Sequence, residues 1–424
     1  MLLPGLSVDA YYGFENFNMQ YLSINNTYAV FQENTDGTYT QFGKDEYKNS
    51  RSSAMMDGFY RYNTLGAGLN YNHTFGSVHD LAVRLFYNHS SETVPGDNPD
   101  YKYQGLAMRA QYGFNKRYYA EVTASYQGSS NYRSGKRTGF FPAVGLAWVA
   151  SDEKWLQSAE AIDFLKFRVS YGVNGNDNIA SYAHYGLYSD VVYNGITGQL
   201  PSQLQNRKLT WETNKTHNIG IDFRLFDRLN GSIDWYTRRT EDMLIASPLP
   251  YTTGFASQAQ NVGKIRNSGV EVQLDAEIFN TNDFKWTAGV NFAANRSKVL
   301  ELAPGQDFIG TTLRYVKGEQ LYTYWLYDYA GVNPQNGNAL WRNEEGLLTE
   351  NYGEARRINA GSPEPLWTGG FNTELSWRGI SLGIQLEARY GNKVLNQDRS
   401  LFEADGSYGD SNIWKGAMNY WKKP

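Results

Sequence analysis

The chain has 424 residues, of which 15% are aromatic, with 33 Tyr, 21 Phe and 11 Trp beside 42 Gly. It contains no cysteine, which excludes disulfides, thiolate metal sites and a cysteine nucleophile. The formal net charge of −4 gives no basic footprint for nucleic acid, so no nucleic-acid partner is expected. This composition favours β-structure, because aromatic rings suit a pleated surface and glycine suits turns.

Taken in chain order, several stretches alternate strictly between apolar and polar residues, which predicts β-strands whose two faces meet different environments. They are residues 105–114, 118–130, 165–173, 267–279, 285–295 and 380–390. In residues 267–279 the apolar set is Val270, Val272, Leu274, Ala276 and Ile278, and the polar set is Glu271, Gln273, Asp275 and Glu277. We predict about 14 strands, with the apolar set facing lipid and the polar set facing a wet or plugged lumen.

The connections between these strands differ in length. Short turns are predicted at residues 75–79, 115–117, 226–230, 280–283 and 378–379. Long polar segments are predicted at residues 35–51, 175–210, 247–264 and about 302–365. Short turns at one end and long loops at the other are typical of an antiparallel outer-membrane barrel, whereas a soluble sandwich would have loops of similar length at both ends.

Aromatic residues collect where the predicted strands meet the short turns, as expected for rings at a membrane interface. They are Phe75, Phe114, Tyr118, Tyr119, Phe226, Phe284, Trp286 and Trp377. No apolar run approaches the ~20 residues of a membrane helix, and the start of the chain does not read as a signal peptide. The predicted fold class is therefore all-β, an antiparallel transmembrane β-barrel that must close, because hydrocarbon leaves no backbone group unpaired.

No motif predicts an enzyme, a metal site or a cofactor. The five histidines are dispersed without the spacing of a zinc site, and no nucleophile elbow or phosphate loop is present. Glu271, Asp275 and Glu277 lie four and two residues apart along one strand face, which makes a polar wall a better interpretation than a glycosidase pair.

Several long segments resemble the barrel of the SusC/RagA-type TonB-linked outer-membrane transporters. They are LKFRVSYGVNGNDNI (165–179), LTWETNKTHNIGIDFRLFDRLNGSIDWYTRRTEDMLI (209–245), NVGKIRNSGVEVQL (261–274) and SPEPLWTGGFNTELSWRGISLGIQLEARYGNKVLN (362–396). The resemblance implies a 22-stranded barrel filled by an amino-terminal plug, in the outer membrane of Bacteroidetes-like bacteria. It implies TonB-dependent import of oligosaccharides or peptides, with a SusD-like surface lipoprotein as lid.

Residues 1–424 contain no segment that resembles the plug, the TonB-contacting segment, or the first and last strands of that pattern. We therefore expect an incomplete barrel over residues 1–424, with TonB coupled through the missing amino-terminal part. The alternative function is a non-transporting barrel that displays its long loops as an adhesin or interaction module. A plug and TonB box upstream in the native gene would favour import.

The candidate substrate-binding residues are aromatic side chains in the long loops, because flat rings stack on sugars while neighbouring Asn and Asp bond hydroxyls. They are Tyr185, Tyr188, Tyr251, Phe255 and Trp341. The alternative is that these rings pack within the loops or against the lid protein.

Overall fold

The structure, a computed structural model, describes residues 4–19, 22–51, 58–94, 100–181, 183–302, 308–309, 312–404 and 412–422. Within them, one sheet of 13 strands runs in chain order, each strand antiparallel to its neighbours. This confirms the predicted fold class, with 13 strands where about 14 were expected. The strands are β1 (Leu6–Met19), β2 (Gly58–Phe75), β3 (His79–Thr93), β4 (Tyr101–Phe114), β5 (Tyr118–Ser129), β6 (Thr138–Val149), β7 (Ile162–Asn176), β8 (Glu212–Leu225), β9 (Leu229–Glu241), β10 (Lys264–Asn280), β11 (Phe284–Glu301), β12 (Trp367–Trp377) and β13 (Ile380–Tyr390).

All five predicted short turns lie at one end of this sheet, which we call the lower end. Four of them repeat one geometry, in which two successive residues have positive φ: Gly76–Ser77, Asn115–Lys116, Phe226–Asp227 and Arg378–Gly379. The first three close with an N–H to C=O bond three residues back, such as Arg117 N to Phe114 O at 3.0 Å. Such left-handed pairs match the right-handed twist of the strands and so keep the hairpins tight.

The register separates the two faces of the sheet. Across β10 to β13, Leu274, Val290, Phe371 and Leu386 oppose one another directly and form an apolar row. Across β7 to β10, Arg168, Gly220, Asp234 and Glu271 do the same on the other side. We call these the apolar face and the polar face. The apolar face leaves large side chains in the open, with Leu386 59% exposed, as expected of a surface that contacts lipid.

Aromatic side chains line the apolar face at the lower end. Phe114 packs on Tyr118 with ring centroids 6.3 Å apart, and Phe279 stacks on Trp286 at 5.9 Å. Near them, the connection between β6 and β7 is held by Glu153, which accepts bonds from the Tyr118 hydroxyl and from Arg117 Nη1. These contacts place aromatic rings where strands meet the short turns.

The strand in residues 267–279 departs from the prediction at one point. The ladder between β10 and β11 shifts between Glu277 and Phe279, so a β-bulge interrupts the alternation before Ile278. The extra residue turns Phe279 onto Trp286. Val270 to Ala276 keep the predicted apolar face, and the lower aromatic layer continues past the bulge because of the shift.

The long connections lie at the opposite, upper end, and they are more regular than predicted. Local hairpins form within them, because their Tyr, Thr and Val content favours pairing of neighbouring segments. The paired segments are Leu22–Thr27 with Glu46–Arg51, Val30–Glu33 with Tyr39–Phe42, Leu187–Tyr193 with Ile196–Gln203, and Leu244–Pro248 with Ser257–Asn261.

The connection between β11 and β12 contains small sheets of its own. One is Phe308–Ile309, Leu313–Tyr315, Thr323–Tyr327 and Arg357–Asn359, and the other is Tyr329–Val332, Ala339–Arg342 and Leu348–Thr349. Residues 303–307 and 310–311 of this predicted loop lie outside the described residues. A short helix, α1 (Gln397–Phe402), follows β13. None of the helices in the described ranges is long and apolar enough to cross a membrane.

Candidate functional site

The polar face of the sheet carries ion pairs rather than a packed apolar core. Arg168 on β7 donates to both carboxylate oxygens of Asp222, each at 2.7 Å. It also donates to both oxygens of Asp234, at 3.1 and 3.0 Å. Asn218 Nδ2 adds a bond to Asp234 Oδ1 at 3.1 Å. One guanidinium thus joins β7, β8 and β9 through two bidentate contacts, the geometry that arginine favours with carboxylates.

Gly220 makes this ion cluster possible, because it lies between the two partners in the register. A Cβ at Gly220 would come within 2.6 Å of Asp234 Oδ1 and 2.7 Å of Arg168 Cζ. The guanidinium and the Asp234 carboxylate therefore meet directly over the backbone of β8. The cluster was not predicted from the sequence, although its three charged residues all lie on the polar face of neighbouring strands.

Replacing Gly220 with leucine is expected to separate Arg168 from Asp234 and to destabilise the sheet by about 1–3 kcal/mol, from overpacking and the loss of a charge partner. Gly383 is a matched control, since it lies on β13 with nothing within 4 Å of its added Cβ. Urea titration of the full native polypeptide in lipid vesicles measures both variants. Equal urea midpoints for Gly220→Leu and Gly383→Leu would contradict the conclusion that Gly220 makes room for the contact between Arg168 and Asp234.

A groove of about 830 Å³ follows the sheet from β2 to β8. Its lining includes the polar side chains of Asn72, Asp80, Gln111, Glu121, Arg168 and Asn218. Within it, Glu121 accepts bonds from Arg109 and Gln111, both at 2.7 Å. The groove therefore presents polar groups that are held in place by hydrogen bonds to one another.

At the upper end, a compact aromatic core holds the loops together. Tyr132 and Leu209 are fully buried, and Trp211 is 4% exposed. The Trp211 ring lies 5.5 Å from that of Tyr132 and 5.3 Å from that of Phe141, and its Nε1 donates to Arg137 O at 3.0 Å. These contacts fasten the 177–211 connection to the hairpin between β5 and β6.

The 177–211 connection is also tied to the connection between β9 and β10. Asn261 accepts from Thr210 N at 2.8 Å and donates to Thr210 O at 2.7 Å. Asn206 Nδ2 donates to Ala259 O at 2.7 Å. Two long connections at the upper end therefore form one unit.

The five aromatic residues predicted to bind substrate all lie in upper connections, but the structure does not gather them into one site. Tyr188 is 67% exposed and Tyr251 is 96% exposed, whereas Tyr185 is 42% exposed and its ring contacts that of His184 in a tilted arrangement at 4.0 Å. Phe255 is half-buried, beside the turn Tyr251–Thr253. In the described part of the chain, no ring contact joins two of the five.

Trp341 packs within its own connection. Its ring contacts Tyr352 at 5.3 Å and Tyr329 at 6.5 Å, and Tyr352 in turn contacts Tyr327 at 4.5 Å. The alternative interpretation, that a loop aromatic packs locally, therefore describes Trp341, while Tyr188 and Tyr251 remain open to solvent.

His184 is the buried titratable group nearest to these aromatic residues. It is 5% exposed, and its Nδ1 has no hydrogen-bond partner among the described residues. Burial lowers its pKa below the usual value, and the charge of Arg137 acts in the same direction. The folded loop therefore favours the neutral imidazole.

The loop around His184 is expected to open as pH falls below about 6.5, the ordinary histidine value. Because the opened loop binds the proton more readily, the stability of the folded loop rises with pH and is lost on acidification. Hydrogen exchange of residues 183–187, corrected for intrinsic rates, measures this opening. His184→Gln should remove the pH dependence, while His79→Gln at the lower end should leave it intact. A pH dependence that survives His184→Gln would contradict the prediction.

An antiparallel meander with an exposed apolar band, a polar opposite face, short turns below and long connections above is the architecture of an outer-membrane β-barrel wall. The family model described as "TonB dependent receptor-like, beta-barrel" matches residues 5–412, and the chain belongs to this family. The family is one of outer-membrane transporters and receptors, and the bacterial outer membrane is the location of this chain.

Similar proteins support the predicted SusC/RagA-type branch of the family. Two TonB-dependent receptors of Formosa agariphila are 31% and 30% identical over 74% and 92% of this chain. The TonB-dependent receptor SusC of Bacteroides thetaiotaomicron is 32% identical over 47% of it. The RagAB peptide transporter superimposes on the whole chain with a TM-score of 0.80 and 25% identity.

These matches confirm the resemblance to SusC/RagA-type barrels. The chain spans about a third of each Formosa relative, 34% and 36% of their lengths, and 21% of SusC. It covers 50% of the matched chain of the RagAB transporter.

Proposed function

We propose that the chain forms part of the barrel wall of a TonB-dependent importer of nutrients, with oligosaccharides or peptides as the cargo. The single observation that carries this proposal is the two-faced 13-stranded sheet in a chain of the TonB-dependent receptor family. Its polar face offers fixed charged groups to a lumen, and its apolar face offers a band of exposed apolar side chains to lipid.

We propose further that residues 1–424 are an incomplete barrel. Among the residues that the structure describes, β1 and β13 each pair with a neighbouring strand along one edge only. Each unpaired backbone group at such an edge costs several kcal/mol in hydrocarbon, so further strands must close the sheet in the membrane. The family pattern has 22 strands, a plug and a TonB-contacting segment. It therefore supports the proposal that sequence outside residues 1–424 supplies the further strands, the plug and the TonB-contacting segment.

The proposed partners follow from the relatives. The similarity to SusC and RagAB supports a SusD-like surface lipoprotein as the proposed lid and the TonB complex as the proposed source of energy. The proposed cargo contacts are Tyr185, Tyr188, Tyr251, Phe255 and Trp341. Tyr188 and Tyr251 are the best exposed of these for stacking on a sugar ring or a peptide side chain.

Uptake by cells of the native host tests the import function. Fluorescent oligosaccharides and peptides are offered to cells with and without the gene, and to cells treated with a protonophore. We expect uptake of at least one cargo class to require both the gene and an energised inner membrane. Unchanged uptake of every cargo after gene deletion, together with loss of surface adhesion, would favour the display function instead.

A further inference from the structure

A row of four cationic side chains crosses the apolar face near its upper edge. Lys215 on β8 opposes Arg239 on β9, Arg239 opposes Arg266 on β10, and Arg266 opposes Lys298 on β11. We call these four residues the basic row. Like charges directly opposite one another on a sheet are destabilising, so the row calls for counter-charges.

The basic row lies on the same face as the apolar band. Four residues towards the lower end on each of β8 to β10, the aligned positions are Ile219, Trp235 and Val270, which belong to the apolar face. On β11 the neighbours Ser297 and Val299 point the other way, where they are buried, and Val299 N bonds Glu319 O at 2.9 Å. Lys298 between them is exposed.

Carboxylates neutralise only part of this surface. Glu241 lies 2.5 Å from Lys215 and 3.0 Å from Arg239, and Glu301 lies 2.8 Å from Lys264. Arg266, Arg296 and Lys298 are exposed and make no ion pair with any residue in the described ranges. Three cations therefore remain uncompensated side by side on β10 and β11.

The height of these three cations matches the edge of the hydrocarbon. Ten residue steps separate Trp286, in the lower aromatic layer, from Arg296. With a rise of about 3.4 Å per residue and a tilt of roughly 40°, this distance corresponds to about 26 Å of height. A barrel's apolar band is about 25 Å tall, so Arg296 lies at its upper limit and Lys298 just above it.

A second aromatic layer lies just below this level. Phe292 on β11 contacts Trp367 on β12 at 6.0 Å, and Trp367 stacks on Tyr390 of β13 at 5.7 Å. Rings of this kind collect at the headgroup level of a membrane. The uncompensated cations therefore lie directly above an interfacial aromatic layer, on the side that faces lipid.

We propose that Arg266, Arg296 and Lys298 bind the phosphate groups of phosphorylated glycolipid in the outer leaflet. Guanidinium groups bind phosphate in a bidentate manner, and the acyl chains of the same lipid lie along the apolar band below. A lipid fits this surface better than a soluble partner, because the charges continue an apolar surface that only lipid covers. The site anchors this side of the barrel at a fixed depth and orientation.

The test uses the full native polypeptide in neutral detergent, titrated with bisphosphorylated lipid A, with its dephosphorylated form and with inorganic phosphate. The triple variant Arg266→Gln, Arg296→Gln, Lys298→Gln removes the site. The matched control Arg133→Gln, Lys136→Gln, Lys208→Gln removes three exposed loop cations. We expect the triple variant to bind bisphosphorylated lipid A about tenfold more weakly or worse, and the control to bind as the unchanged protein does.

A charge-conserving variant, Arg266→Lys with Lys298→Arg, should retain binding and so separates loss of charge from misfolding. Equal binding of both lipid A forms by the unchanged protein would overturn the proposal, as would lipid affinity in the triple variant equal to that of the control. Inorganic phosphate that competes fully at equal concentration would identify a free-phosphate site and would overturn the lipid assignment.

Discussion

Replacing Trp211 with alanine is expected to destabilise the upper loops by about 3–5 kcal/mol, the usual cost of truncating a buried tryptophan. Trp211 fills the centre of the core between Tyr132 and Phe141, and its indole N–H satisfies the carbonyl of Arg137. Loss of the ring leaves a cavity and removes one of the two hydrogen bonds that the Arg137 carbonyl accepts, while the bond from Ser129 N at 3.0 Å remains. The effect should be local, since the strands below are held by their own ladders.

Hydrogen exchange of the full native polypeptide measures this prediction. Amides in residues 130–137 and 177–211 should lose protection together in Trp211→Ala, while amides of β10 and β11 keep theirs. Trp155, which is 66% exposed at the lower end, is the control, and Trp155→Ala should cost under about 1 kcal/mol. Similar protection of the upper loops in both variants would contradict a shared core.

Placing an arginine at Leu274 is expected to destabilise the inserted barrel by about 2–4 kcal/mol, because a charge at the bilayer midplane loses its hydration. Leu274 lies in the row with Val290, Phe371 and Leu386, midway between the two aromatic layers. Gln273→Arg moves the same charge one residue along β10 to the polar face. There it meets Glu271 and Asp275, so its cost should be near zero.

Urea titration of folding into lipid vesicles compares the two variants. The difference between Leu274→Arg and Gln273→Arg removes any effect of arginine on strand propensity. Equal destabilisation by the two substitutions would show that the two faces of β10 meet the same environment.

The strands and the lower turns were predictable because their signals are local. Alternation assigns the face of each residue, and the short polar turns end the strands. Positive φ at Asn115 and Lys116 depends on nothing beyond the hairpin itself. The bulge at Ile278 carries no such local signal, since it depends on how β10 and β11 align over their full length.

The upper end was less predictable. The segment at residues 35–51 reads as a polar loop, yet Tyr39–Phe42 and Glu46–Arg51 pair with earlier residues. A loop segment can pair with any of several other segments, and an alternating sequence pattern does not specify which of them it pairs with.

The candidate site was also predictable only where its signals are local. Arg168 was placed on a polar position of a predicted strand, but its meeting with Asp222 and Asp234 requires the register of three strands and the glycine at 220. The aromatic residues of the long loops were located at the upper end by connection length alone. Which of them pack, as Trp341 does, depends on contacts far apart in sequence.

One face of this sheet is expected to meet lipid while the other meets a polar lumen. Because residues 1–424 contain no cysteine, single cysteines at Val270, Glu271, Val272, Gln273 and Leu274 give unique labelling sites on β10. Each is labelled with a fluorophore and quenched by brominated lipids in vesicles. We predict strong quenching at positions 270, 272 and 274 and weak quenching at 271 and 273; equal or reversed quenching along the strand would contradict the membrane barrel.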